Sequence, residues 1–320
     1  MPVAGQTRVP ALSAVIPTYN SEASIAAVVE RLDRVLGQLA ERFEIVLVND
    51  GSRDGTWRVI ESLVPRFPSV RGIDLMRNSG QHNALLCGIR AARFDLVVTL
   101  DDDLQNPPEE IPKILAALTD DVDVVYGAPE AKVHGLFRNL ASQVTKIVLE
   151  AALGAETARM VGPFRVFRTR VREAFAEYRG TYVNIDVLLT WGTTRFRGVH
   201  VRHEPRTLGE SNYNFRKLFT HSMNMLTGFS AIPLQLASLL GFSLVLLGAA
   251  LIVYVLGRYF VQGVAVPGFA FLASIIIIFS GGQLATLGII GEYLARMHFR
   301  LMERPAYSVR TIRQFEGDRA

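Results

Sequence analysis

Three consecutive aspartates, Asp101, Asp102 and Asp103, end the apolar run Val97–Leu100 and are followed by Leu104, Gln105, Asn106, Pro107 and Pro108. Carboxylates held side by side repel unless a cation lies between them. Hard oxygen donors, with the Gln105 amide adding a carbonyl, suit Mg²⁺ or Mn²⁺. The run before them reads as a short buried strand, and Pro108 can open the next helix. If strand geometry persists, Asp101 and Asp103 point the same way and Asp102 points opposite. A lone D-x-D also reads as a solvated acidic turn, so its weight depends on what the chain brings beside it.

The elements that must hold these acids alternate along the chain. Leu12–Pro17, Phe43–Asn49, Val70–Asp74, Leu96–Leu100 and Val122–Tyr126 read as strands. Helices are predicted behind Ser21 or Ser24, which can cap, and near Thr56–Val64, Gln81–Ala92 and Pro108–Leu118. Ile25, Val28, Val29, Leu32, Val35, Leu36 and Leu39 repeat at helical spacing and make one buried stripe. Such alternation predicts a mostly parallel sheet covered on both faces. The strand ends on one edge then share a crevice, where open α/β sheets bind ligands. That edge collects Tyr19 and Asn20, Asp50, Asn78 and Gly80, then Asp101 and Asp103. No G-x-G-x-x-G opens the first helix and no G-x-x-x-x-G-K-[ST] occurs, so dinucleotide and P-loop readings lose support. Phe164–Arg168 and Phe196–His203 read as further strands. Arg165 and Arg168 read as binders of backbone carbonyls, His82 and Asn83 as helix-opening residues, and Trp57 and Trp191 as packing. Cys87, among Leu85, Leu86 and Ile89, reads as core.

Composition divides the chain. Apolar residues make up 49% of the 320, but between Lys217 and Glu292 the only fully charged residue is Arg258. Leu234–Leu256 is about 23 residues without a charge and Phe269–Ile290 about 22, each long enough to span a bilayer. Tyr213–Phe229 is amphipathic and reads as an interfacial helix. The expected organisation is a globular domain over 1–212, an interfacial helix over 213–232, a two-helix membrane region over 233–292 and a basic tail over 293–320. Arg296, Arg300, Arg304, Arg310, Arg313 and Arg319 follow the second span, which by positive-inside logic puts both ends in the cytoplasm. The N-terminus lacks the apolar core of a signal peptide. One cysteine excludes an internal disulfide. The net charge of +4 comes with no nucleic-acid motif, so nucleic acid is not an expected partner. Gly281, Gly282, Gly288 and Gly291 permit close helix packing, either on the first span or in a homo-oligomer.

Eight stretches share one resemblance: V-I-P-T-Y-N (15–20), N-D-G-S-R-D-G (49–55), R-N-S-G-Q-H-N-A (77–84), T-L-D-D-D-L-Q-N-P-P-E-E-I-P (99–112), F-R-N-L-A-S (137–142), F-R-V-F-R (164–168), G-E-S-N-Y (209–213) and G-E-Y-L-A-R (291–296). Together they resemble the membrane-anchored family 2 glycosyltransferases of GT-A fold, the polyprenyl-phosphate glycosyltransferase group. The undecaprenyl-phosphate formamido-arabinose branch is the one resembled in particular; dolichyl-phosphate mannose synthases and bactoprenol glucosyltransferases are cousins. The resemblance covers nearly the whole chain. It implies a Rossmann-like GT-A domain of class α/β, a UDP-sugar donor and a polyprenyl phosphate acceptor. It also implies Mg²⁺ or Mn²⁺ and a place on the cytoplasmic face of the inner membrane, in cell-envelope glycan or lipid A modification. By the same resemblance, Pro17, Tyr19, Asn20, Asp50, Gly80, Asp101 and Asp102 would bind the nucleotide sugar. Asp101, Asp103 and Gln105 would hold the metal, and Arg138, Ser142, Arg206 and Ser211 the lipid phosphate. Asp103 and Arg138 would carry catalysis.

The chain departs from the group's pattern in places. Ser21 stands where P-x-Y-N-E has its glutamate, with Glu22 one residue late. Pro129 replaces a basic residue, with Lys132 nearby; Pro163 replaces the aspartate of G-D-F-R, and Asn212 a frequent lysine. The implied reaction is an inverting displacement by the acceptor phosphate. A phosphate monoester's second pKa is about 6, so the nucleophile is already an anion and no carboxylate base is required. A processive polysaccharide synthase would carry Q-x-x-R-W, which is missing. A catalytically silent scaffold would have no need of the intact D-D-D-L-Q.

Overall fold

The structure is a computed structural model that describes residues 8–129, 160–180, 182–204, 232–262, 268–302 and 304–315. Two compact units result, one of residues 1–217 with 303–320 and one of residues 218–302.

The first unit is built on one eight-stranded sheet. Strand β1 (Val9–Thr18) runs parallel to β2 (Ala40–Asn49), which runs parallel to β3 (Val70–Leu75). On its other side β1 pairs in parallel with β4 (Leu96–Thr99). Strand β6 (Arg165–Arg168) then enters antiparallel, between β4 and β5 (Val124–Pro129), and β7 (Phe196–Val201) runs parallel to β5 at one edge. At the opposite edge β8 (Val309–Gln314) pairs antiparallel with β3. The order is therefore β7-β5-β6-β4-β1-β2-β3-β8, mixed but mostly parallel in its centre.

Alternation along the strands explains the layers. Leu12, Ala14 and Ile16 of β1, with Ile45 and Leu47 of β2, face α1 (Ile25–Leu39), α2 (Thr56–Leu63) and α4 (Ile111–Ala116). Val15, Val46, Val48 and Ile73 face the other way, onto α3 (Gln81–Ala91) and α5 (Ile185–Gly192). The expected stripe on α1 is buried at Ile25, Val28, Val29, Leu32 and Leu36. Cys87 is buried in the second core, as expected, and Trp57 packs against the first. Trp191 departs from its reading: it is half exposed and stands edge-on to Tyr178.

Strand β8 is absent from the sequence reading, which saw only basic residues beyond the spans. Its residues show no apolar face: the pattern V-R-T-I-R-Q leaves four side chains exposed and two half-buried. It is an edge strand paired with β3 through its backbone, with charged side chains adding to the hold. Arg310 bonds the buried carboxylate of Asp74 at 3.1 Å and Arg313 bonds Glu61 at 3.1 Å.

The second unit holds α6 (Ile232–Gln262) and α7 (Gly268–Leu301). Both are long and apolar enough to cross a membrane, over Ile232–Val261 and Ser274–His298, and their apolar side chains lie on the outside rather than in a protein core. A methyl group at Gly282 would collide with Leu244 on α6, whereas Gly281, Gly288 and Gly291 face open space. One of the four glycines thus serves contact between the two helices. The interfacial helix expected over Tyr213–Phe229 lies outside the described residues.

Candidate active site

Four loops leave the carboxyl ends of β1, β2, β3 and β4 and meet on one edge of the sheet. Each hydrogen-bonds to at least one other. After β1, Asn20 adopts a left-handed backbone (φ 54°). Its N–H donates to Ser52 Oγ at 3.0 Å, and its side-chain carbonyl accepts from Arg53 N at 2.9 Å. The next residue, Ser21, donates from its backbone to Thr56 Oγ1 at 2.7 Å. Glu22 accepts from Gly55 N at 2.8 Å, so the displaced acid of the P-T-Y-N-S-E stretch tops α2. Ser24 takes the N-cap position of α1 but its side chain makes no capping bond, and Ser21 is committed elsewhere.

Asp50 follows the last residue of β2 and is buried. Its two carboxylate oxygens accept from Ser79 N at 2.7 Å and Gly80 N at 2.9 Å, which fixes the loop after β3. Burial pushes its pKa up, and the two backbone N–H groups pull it back part of the way. Gly51 (φ 62°) makes this possible: a side chain there would sit 2.5 Å from Asn78 N. Gly80 (φ 99°) opens α3. Behind it, Asn83 donates to Ser79 O and fastens the start of the helix, as read, while His82 accepts from Ile185 N at 3.3 Å and ties α3 to the start of α5.

The aspartates do not continue the strand. β4 ends at Thr99 and residues 101–103 form a turn, so alternation does not govern their directions. Each acid has a different partner instead. Asp101 Oδ1 accepts from Gln81 Nε2 at 2.7 Å, Asp103 Oδ1 accepts from Gln105 N at 3.1 Å, and Asp102 Oδ2 accepts from the Ser21 hydroxyl and from Tyr19 N. Burial pushes the Asp102 pKa up, the Ser21 hydroxyl opposes this, and nearby Asp103 adds to the rise. Leu104 between them is left-handed (φ 59°), the second such non-glycine residue among those described. Gln105 is pinned twice: its carbonyl accepts from Glu204 N at 2.9 Å, and its side-chain oxygen lies 3.1 Å from His203 Nε2.

Beneath the acids lies a buried polar network that sequence reasoning missed. Arg165 is fully buried; its guanidinium pairs with Asp186 and donates from Nε to Thr99 Oγ1 at 3.0 Å. Tyr126 OH donates to the same Asp186 oxygen at 3.1 Å, and Thr99 Oγ1 donates to Pro163 O at 2.7 Å. Arg165 therefore departs from its reading: it binds a carboxylate and a threonine hydroxyl in place of backbone carbonyls. Arg168 donates to Thr119 O at 3.2 Å, as read, and also lies within ion-pair range of Asp120 and Asp123. No motif marks Asp186, because its partners, Arg165 and Tyr126, lie on two distant strands.

Of the sequence-predicted site residues, Pro17, Tyr19, Asn20, Asp50, Gly80, Asp101, Asp102, Asp103 and Gln105 are gathered on this edge. Arg138, Ser142, Arg206 and Ser211 lie outside the described residues. Among the described residues no three His, Cys, Asp or Glu side chains cluster as a ready metal cage. Asp101, Asp103 and Gln105 supply hard oxygen atoms on one turn. That donor set would suit a hard divalent ion such as Mg²⁺ or Mn²⁺.

A mostly parallel sheet with these loops on its carboxyl edge, followed in the chain by two long apolar helices, defines a GT-A-like glycosyltransferase. Residues 13–176 match the family described as Glycosyl transferase family 2, and the chain belongs to that family. It is 33% identical to the undecaprenyl-phosphate 4-deoxy-4-formamido-L-arabinose transferase of Shewanella sediminis, over 94% of this chain and 92% of that one. The protein of the same name from Pseudomonas aeruginosa is 34% identical over 94% of this chain and 90% of its own length. Among solved structures, glucosyl-3-phosphoglycerate synthase from Mycobacterium tuberculosis, in complex with Mn²⁺, uridine diphosphate and phosphoglyceric acid, superimposes with a TM-score of 0.50 at 20% identity. It covers 68% of this chain and 76% of its own, a likeness of fold.

Proposed function

We propose that this glycosyltransferase moves a sugar from a UDP-sugar to a polyprenyl phosphate at the cytoplasmic face of a membrane, with inversion at the anomeric carbon. The observation that carries the reading is the meeting of Asn20, Asp50, Gly80 and the 101–105 turn on one sheet edge, in a chain that also has two helices able to span a bilayer. Relatives similar over more than nine-tenths of the chain are named for undecaprenyl phosphate and formamido-arabinose, which favours that acceptor and a sugar of that kind.

The chain's own residues divide the work. Asp50 holds the β3 loop so that Gly80 and its neighbours frame the nucleotide. Asp101, Asp103 and Gln105 bind a divalent ion, which when present neutralises charge on the departing diphosphate. Arg138 and Ser142, with Arg206 and Ser211, grip the lipid phosphate; arginine can hold two oxygens at once without removing the anion's charge. The bond between Glu204 N and Gln105 O ties the chain to the acid turn two residues before Arg206. The attacking oxygen needs no base, so Pro163 in place of an aspartate is no obstacle. The apolar helices keep the enzyme where a long polyprenol must stay. Tyr213–Phe229 would be the interfacial helix between the strands that precede residue 213 and the 233–292 spans.

Membranes containing the protein, given labelled polyprenyl phosphate and a panel of UDP-sugars with Mn²⁺, should yield a labelled lipid-linked monosaccharide with one donor. Hydrolysis of every donor without lipid labelling would refute the acceptor. No turnover with any UDP-sugar, in membranes that carry folded protein, would refute the donor class.

A further inference from the structure

We infer that Arg310, on the strand that follows the apolar helices, is a positioning residue for the nucleotide loop, acting through Asp74, Asn49 and Ser52; this rests on the proposed role of Asn20. The contacts form one unbroken line. Arg310 Nη1 donates to Asp74 Oδ2 at 3.1 Å, and Asn49 Nδ2 donates to Asp74 Oδ1 at 2.7 Å. Ser52 Oγ donates to Asn49 Oδ1 at 2.5 Å, and Asn20 N donates to Ser52 Oγ at 3.0 Å. Four links cross the sheet edge from β8 through β3 and β2 to the loop after β1.

Three features set this line apart from ordinary surface pairing. Asn49 and Asp74 are buried, so neither can turn to water if its partner leaves. The Ser52 hydroxyl has a single hydrogen: giving it to Asn49 leaves its lone pairs for the Asn20 N–H, so the direction of every bond is set. The ladder between β8 and β3 is also broken at this point. Asp74 opposes Thr311 while Leu75 opposes Val309, so Arg310 is the extra residue of a bulge. Bulges re-aim a side chain, and this one brings Arg310 onto Asp74 and the carbonyl of Met76, 3.0 Å away. At the far end sits Asn20, whose left-handed backbone is fastened by the Ser52 contact on its N–H and the Arg53 contact on its side chain. Removing Arg310 leaves Asp74 with one neutral donor, frees Asn49 to reorient, and loosens the Ser52 contact that holds Asn20.

The control lies three residues away on the same strand. Arg313 makes a 3.1 Å pair with Glu61, off the line to Asn20. Hydrogen exchange of the ligand-free full-length protein is followed on peptides covering 18–24, for wild type, Arg310→Ala, Arg310→Lys and Arg313→Ala. Coupling of this kind changes an equilibrium by about three- to thirtyfold. Arg310→Ala should speed exchange there, and weaken calorimetric binding of UDP with Mn²⁺, by factors in that range. In turnover KM for the donor should rise with kcat little changed. Arg310→Lys, which keeps a cation on Asp74, should recover part of the loss, and Arg313→Ala should match wild type. Unchanged exchange in Arg310→Ala, or an equal change in Arg313→Ala, would overturn the assignment. Wild-type protein that binds no UDP while its 18–24 exchange still responds to Arg310→Ala alone would sink the nucleotide reading and leave the positioning line standing.

Discussion

Three adjacent carboxylates with three different partners cannot have one role. Asp102 turns toward Ser21 and the first loop, away from Gln81 and Gln105, so it fastens the acid turn to the chain after β1. Asp103 is the acid whose loss should stop chemistry. Removing an electrostatic contact to developing charge typically costs about 10²–10³ in rate, so Asp103→Asn should lose that much kcat at saturating Mn²⁺ with folding intact. Asp102→Asn should behave differently. Burial raises the Asp102 pKa, so the ionised carboxylate weakens the fold at neutral pH. The penalty is full above the folded-state pKa, fades as pH falls through it, and is gone below the ordinary carboxylate value. The melting temperature of Asp102→Asn should therefore exceed wild type at neutral pH, with the difference shrinking in mild acid. The triple aspartate was legible as an oxygen-rich turn. The separate directions of its members were not, because the partner of Asp102 lies 81 residues away and the strand stops at Thr99. Cys87 was legible throughout. Its thiol is pushed up to about 12 by burial, so it should resist alkylation in the native protein and react only on unfolding.

Loops hold the site, and two of them pass through a left-handed residue. Asn20 and Leu104 are both left-handed, a conformation glycine accepts freely, asparagine tolerates and leucine resists by about 1–2 kcal/mol. Asn20→Gly should keep the backbone and lose only the side-chain bond to Arg53, whereas Asn20→Ala loses both. UDP affinity should fall further in the alanine variant, measured by the same calorimetry; equal losses would mean the backbone geometry is immaterial. Beneath the loops, Arg165 and Asp186 form a buried pair between β6 and α5. Asp186→Ala would strand a buried guanidinium, a change that typically costs about 3–5 kcal/mol, and denaturant unfolding should register it. Strands β1 to β5 and their helices were legible because apolar runs and helical stripes alternate in order. The insertion of β6 between β4 and β5 was not, since strand order is decided by pairing across distant segments. Nor was β8, whose arginines read as a basic tail when their acids, Asp74 and Glu61, sit far upstream.

Sequence order and spatial order part company at the scale of the molecule. The sheet takes seven strands before the apolar helices and its eighth after them, so the membrane-spanning candidates are an excursion from within one domain. A domain cut at residue 212, where composition changes, therefore lacks an edge. Without β8, strand β3 exposes its N–H and C=O groups, and the buried carboxylate of Asp74 loses the arginine that faces it. Bare strand edges template association with other chains. Residues 1–217 expressed alone should be aggregation-prone and melt over a broad range. The same residues joined by a flexible linker to 304–320 should recover β8, stay dispersed and unfold cooperatively. A graft carrying Arg310→Ala and Arg313→Ala should fall between the two, because the ladder can still form while both ion pairs are lost. Light scattering and thermal melts distinguish the three. If the ungrafted 1–217 fragment proved as dispersed and cooperative as the graft, the eighth strand would be an accessory to the sheet, and the chain's return from its apolar helices would have no part in holding the catalytic domain together.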